Sequence, residues 1–349
     1  MNSKRFIQLS LCLTLILLIM VASIQIAIDP LFQYHKPWFG MDAFIKKERY
    51  QDAGMAKNFD FENVIMGSSM SQNFRVNEYK ELFGGETIKL TMEGSASIDW
   101  TFVLDDLIHR EIHPKTVLIN LDPYTYRTPT DTPSHELPTY LYDFDYLNDV
   151  NYWFNFQIYN DFTVESVIRN IKHDLPDINE AYVWTPFKQI GTEYALGYYQ
   201  RPEVSEDVVD DVQYSQLALD NMRVLTPYID SMPDSHFVFF CSPFSMLYWD
   251  TQMRNNSVEA HKQAYLSAIG ELIDRDNVSV YLWNDEEMLE IISNLDNYAD
   301  EAHYSEEVNS MILKRIVNNQ GLLTKDNFHA EVDKLFDYIE NYDYEKLFT

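Results

Sequence analysis

The chain opens with an uninterrupted apolar stretch. After Lys4 and Arg5 no charge occurs from Phe6 to Ile28, a run of 23 residues. As a helix it reaches about 34 Å at 1.5 Å per residue, enough to cross a bilayer. Basic residues ahead of the span place the N-terminus in the cytoplasm and the main domain outside. The run is long for a cleaved signal peptide, and the small-residue cleavage pattern is poor. A single-pass anchor of the plasma membrane is therefore expected over 6–28, with 1–5 as a cytoplasmic tail. Residues 29–60 follow as an aromatic, proline-containing stalk, "DPLFQYHKPWFGMD", and a segment of helical spacing, "AFIKKERYQDAGMAKN".

Beyond the stalk, short apolar runs alternate with stretches of helical period. "NVIMG", "TIKLTMEG", "KTVLINLDP", "HFVFFCSP" and "NVSVYLWND" read as strands. "VNEYKELFG", "IDWTFVLDDLIHREIHP" and "VEAHKQAYLSAIGELIDRD" read as helices between them. Such alternation predicts an α/β domain over about 61–320, with a mostly parallel sheet covered on both faces. The ligand crevice of such a sheet lies at the carboxyl ends of its strands. Residues 127–205 break the pattern with a helical insertion crowded with Tyr, Trp, Phe, Asp and Asn. Its aromatics are expected chiefly to form the insertion's own core. "FCSPFSMLYWD" after the fourth strand, with Ser242 and Trp249, reads as a packing loop. Residues 321–349 read as a C-terminal amphipathic helix.

Composition narrows the function. The 349 residues are 46% hydrophobic and 15% aromatic, so a sizeable core can form. The net charge of -29 repels phosphate backbones and excludes nucleic acid as a partner. It also favours a neutral polysaccharide over an anionic polymer as substrate. The two cysteines, Cys12 and Cys241, fall in different environments, so no disulfide is expected. No Cys/His spacing suits zinc, and no phosphate-binding glycine loop or dinucleotide fingerprint is present; no metal or cofactor is expected.

Two stretches carry candidate chemistry. In "ENVIMGSSMSQNF" an apolar strand ends at Gly67, and Ser68 and Ser69 follow where a strand-to-helix turn exposes a hydroxyl. The alternative is an ordinary turn in which serine caps a helix. In "NYADEAHYSEEVNSMIL" Asp300 precedes His303 by three residues, after the last strand and before a helix capped near Ser305. This spacing lets the carboxylate hold one imidazole nitrogen while the other faces the crevice. Both stretches then lie at the carboxyl edge of one sheet.

The order of these blocks resembles the SGNH/GDSL hydrolase superfamily over about Asn63 to Ile312. Gly67-Ser68-Ser69 aligns with its first block and Asp300-x-x-His303 with its last. The resemblance implies a three-layer, flavodoxin-like fold with a five-stranded parallel sheet. It implies Ser69 as nucleophile beside Ser68, His303 as base and Asp300 as its orienter. Gly94 in "TMEGSAS" takes the place of the glycine whose N–H joins that of Ser69 in the oxyanion hole. The family's third block supplies an asparagine side chain to the hole. Here the register places Asp122 there, in "NLDPYTY", with Asn120 two residues earlier. Asn120, Asn73 or a backbone group is then the remaining donor. Together with the anchor, the Gly-Ser-Ser form is most similar to bacterial envelope-tailoring proteins such as the D-alanyl transfer protein. The resemblance implies an O-acyl esterase or acyltransferase acting on a cell-surface glycopolymer, with a membrane acyl-donor protein as a further partner. The alternative, which the Asp122 register and the lone anchor both allow, is an inactive binding or scaffold subunit.

Overall fold

The fold is that of a computed structural model, which describes residues 3–349. These residues form two compact units. One comprises the chain up to Phe59 together with Leu137–Ile178; the other comprises Asp60–Glu136 and Asn179–Thr349.

The second unit is an α/β domain built on five strands: β1 (Asn63–Gly67), β2 (Thr87–Thr91), β3 (Thr116–Leu121), β4 (His236–Cys241) and β5 (Val278–Tyr281). Their order is β2-β1-β3-β4-β5, and every neighbouring pair is parallel. Helices cover both faces of a parallel sheet, which is why the strands are apolar runs rather than alternating ones. All five residues of β1 are buried, as are five of the six in β3 and in β4. The expected strands are thus present, with tighter ends. β1 lies between β2 and β3, so the chain turns back on itself there, where a crevice opens beyond the carboxyl ends. Gly67 registers with Thr91, and the Met92 N–H donates to the Gly67 carbonyl at 2.9 Å.

One element differs from expectation. "SMLYWD" is no loop: Met246–Arg254 is a helix whose N-cap, Ser245, accepts from the Leu247 N–H. Trp249 is 2% exposed and packs against Phe336 of the C-terminal helix Phe328–Asn341. The 21-residue helix Asp211–Ser231 contains Pro227, which cannot donate to the Arg223 carbonyl. The Thr226 hydroxyl donates to that carbonyl at 3.4 Å instead.

The first unit begins with the helix Ser3–Ile28, 26 residues long and apolar enough to cross a membrane. Past its end Asp29 is buried, with φ at 42°. Its carboxylate accepts from the N–H groups of Gln33, Tyr34 and His35 and from the Tyr152 hydroxyl at 2.8 Å. Burial nonetheless raises its pKa. The Tyr34 hydroxyl donates to Asp149 at 2.7 Å and accepts from Trp153 Nε1. These bonds tie residues 29–34 to 149–153. They explain why the expected insertion 127–205 divides: 137–178 joins the N-terminal segment, while 127–136 and 179–205 belong to the α/β domain.

Candidate active site

Gly67 ends β1 with φ at 124°. A Cβ there would lie 2.0 Å from Asn120 Oδ1 and 2.7 Å from Ser71 Oγ, so only glycine fits. The chain then enters the single helical turn Ser69–Gln72, and the two serines part company. Ser68 is the N-cap: its hydroxyl accepts from the Met70 N–H at 3.3 Å and donates to Asp122 Oδ2 at 3.1 Å. It is buried. Ser69 is half-buried, and its Oγ lies 2.9 Å from His303 Nε2.

His303 is held from behind. Its Nδ1 lies 2.9 Å from both carboxylate oxygens of Asp300. Asp300 Oδ1 also accepts from the N–H groups of Ala302 and His303, at 3.0 and 2.8 Å. Burial pushes the Asp300 pKa up. The bond and charge of His303 and the two backbone donors outweigh it, and the carboxyl stays well below its ordinary range. Lys188 Nζ approaches Asp300 Oδ2 at 3.4 Å. With the His303 Nδ1–H donating to the Asp300 carboxylate, the second ring nitrogen faces Ser69, an arrangement able to take a proton from a hydroxyl.

Asn120 and Asp122 have other work. Asn120 is fully buried, and both ends of its amide are engaged. Oδ1 accepts from the Ser68 N–H and the Ser71 hydroxyl, each at 2.8 Å. Nδ2 donates to Ser68 Oγ at 3.0 Å and to Asp122 Oδ2 at 2.6 Å. Asn120 thus braces the Gly67–Ser71 turn and has no amide hydrogen left for an oxyanion. Asp122 caps the turn Pro123–Arg127, accepting from the Thr125 N–H and hydroxyl at 3.0 and 3.2 Å. It is not aimed at a reacting carbonyl, and burial raises its pKa, so its ionised form is disfavoured.

Asn73 is different. It ends the helical turn of Ser69, four residues on, so the two side chains share a face. Its Oδ1 accepts from the Trp184 N–H at 3.1 Å, while its Nδ2 is buried without a partner. An unspent buried donor is costly and calls for a reason. Gly94, past β2, has φ at 60°, and the His135 imidazole packs over its Cα, 3.1 Å from where a Cβ would stand. Ser134 Oγ donates to the Gly94 carbonyl at 2.8 Å.

Sequence reasoning missed two contributors. Trp184 Nε1 donates to the Ser69 carbonyl at 2.9 Å, and its ring meets His303 edge-on at 5.2 Å. Nothing marks it among the other aromatics of its segment. Lys89 of β2 is fully buried and donates to the carbonyls of Gln72 and Ala181 at 2.5 and 2.7 Å. Burial pushes its pKa down to about 7. A lysine between the two apolar residues of the strand, Ile88 and Leu90, was the available signal.

Asp300 and His303 also form one wall of an open cleft of about 520 Å³, lined further by Tyr198, Tyr199, Gln200, Thr251 and Glu301. Among the described residues, no three His, Cys, Asp or Glu side chains gather as a metal site. Comparison with known protein families, curated proteins and solved structures finds no match for this chain.

Proposed function

We propose that the protein is a membrane-anchored serine O-acyl esterase or acyltransferase of SGNH type, acting outside the plasma membrane on a cell-envelope glycopolymer. The observation that carries this reading is the unbroken chain from Ser69 Oγ through His303 to Asp300. The strand order 2-1-3-4-5 is that of flavodoxin-like folds and supports the SGNH assignment. The mixed tyrosine, amide and carboxyl lining of the adjoining cleft suits the hydroxyls and ring faces of a sugar. A membrane acyl-donor protein is the partner this reading implies if the reaction is transfer.

In the proposed cycle His303 Nε2 takes the Ser69 proton as Oγ attacks an ester carbonyl. The tetrahedral oxyanion is met by the N–H groups of Ser69 and Gly94 and by Asn73 Nδ2. The leaving alcohol departs with the proton from His303. Water or a sugar hydroxyl then gives its proton to His303 and takes the acyl group, and His303 returns that proton to the departing Ser69 Oγ.

An inactive binding subunit is the reading that Asp122 would favour if its carboxylate opposed the oxyanion. With that carboxyl turned into a cap, the enzyme reading is the better supported. The test is a fluorophosphonate probe applied to the full-length protein in detergent, with the adduct located by peptide mass spectrometry. An adduct on Ser69 is expected. A folded protein that takes no adduct would return the argument to the binding subunit.

The third donor has its own test. Asn73→Asp keeps the oxygen that Trp184 bonds and replaces the amide donor by an acceptor. It is expected to lower kcat on p-nitrophenyl acetate by about 100-fold, with little change in KM. An unchanged kcat would leave the oxyanion to backbone groups alone.

A further inference from the structure

The first unit carries an apolar surface that its own core does not use. From Phe156 to Lys172 the chain is one helical run: Phe156–Ile158, a π-helical turn Tyr159–Val164, and Glu165–Lys172. Ile158, Phe162 and Ser166, four apart, face inward and are buried. A surface helix normally turns polar residues outward. Here Val164, Ile168 and Ile171, spaced four and three apart, are exposed to 38%, 44% and 74%. Phe156 at the start of the run is exposed to 82%. Contiguous exposed apolar residues of this kind mark an interaction surface.

The position of the run says what covers it. The Thr163 hydroxyl donates to Gln25 Oε1 at 2.6 Å, and Gln25 is fully buried. Gln25 lies three residues before the end of the helix Ser3–Ile28, about 4.5 Å along its axis. The run is therefore fastened at the level where the apolar helix ends. For a helix spanning about 30 Å of hydrocarbon, that level is the headgroup boundary. Trp38 and Phe39 of the same unit are also exposed, at 50% and 76%, and aromatic rings favour that depth. Lys172 in the run's last turn supplies a basic group of the kind common on interfacial helices, whereas Arg169 is paired with Glu165 at 2.9 Å.

We propose that the helical run 156–172 lies in the headgroup–acyl boundary of the membrane, with Val164, Ile168 and Ile171 in contact with lipid. This rests on Ser3–Ile28 being retained as the anchor. The unit is then held to the bilayer by a second, monotopic element.

The test uses full-length protein in phosphatidylcholine–phosphatidylglycerol vesicles. Cys12→Ser removes the exposed free thiol, while Cys241 is buried. Single nitroxides are placed through Ile168→Cys and Ile171→Cys, and their collisions with oxygen and with a water-soluble nickel chelate are compared. Leu15→Cys, within the apolar helix, and Val212→Cys, exposed to 73% in the α/β unit, serve as references. Oxygen is expected to exceed nickel at both sites, at a depth of about 5–10 Å and opposite in sense to Val212. Nickel exceeding oxygen at both, with Leu15 still in lipid, would overturn the proposal while leaving the anchor. Exclusion of both reagents would overturn it in favour of a covering protein. A water-like Leu15 would remove the anchor itself, and the proposal with it.

Discussion

Ser69→Ala is expected to abolish fluorophosphonate labelling and to lower esterase kcat on the order of 10^5 to 10^6-fold. The expectation is large because no neighbouring hydroxyl can take over. Ser68 Oγ is buried and bonded to Asp122, and Ser71 Oγ is buried and bonded to Asn120. Neither reaches the base, whereas Ser69 Oγ lies 2.9 Å from His303 Nε2. Ser68→Ala provides the contrast. It removes a cap and one partner of a buried carboxyl, so a stability loss of about 1–2 kcal/mol is expected, with Ser69 still labelled. Parallel labelling and thermal melts separate the two effects. Labelling that survives Ser69→Ala would take the nucleophile away from this turn altogether.

Much of this frame was legible because the residues in it have few choices. A strand buried on both faces must be apolar throughout, so β1, β3 and β4 stand out as short runs with sharp polar ends. A glycine closing such a run and an Asp three before a His are both local patterns, and the fold brings them together at one sheet edge. What stayed hidden depended on contacts distant in sequence. Register alone puts Asp122 in the oxyanion hole. Only the bonds from Asn120 to Ser68 and Ser71, some 50 residues apart, show that both side chains serve the turn. The helix Asp211–Ser231 continues through Pro227, whose missing bond is offset by a threonine next to it. The division of 127–205 rests on Asp29 meeting Tyr152 and Tyr34 meeting Asp149. Trp184 has no motif because its use lies in where its indole N–H points.

Asp300→Asn is expected to lower kcat by about 10^4-fold with the fold intact. An asparagine can keep its oxygen on the N–H groups of Ala302 and His303, which Asp300 Oδ1 accepts now. Its amide then presents a donor to His303 Nδ1, which is 2.9 Å from both oxygens of the native carboxylate. A donor there requires Nδ1 to be unprotonated. The ring hydrogen moves to Nε2, which now points an N–H at Ser69 and cannot take its proton. The imidazolium formed during attack also loses its counter-charge. The pH dependence gives a second readout. The Asp300 pKa in the folded protein lies below its unfolded value of about 3.9. Its contribution to stability is therefore fully present above about pH 4 and is lost as pH falls through the depressed folded value. The gap in stability between wild type and Asp300→Asn should accordingly shrink as pH falls below about 4. Activity within a few-fold of wild type would detach Asp300 from the chemistry. A stability gap that grows as pH falls below about 4 would mean that the carboxylate is not held by His303 and the two N–H groups.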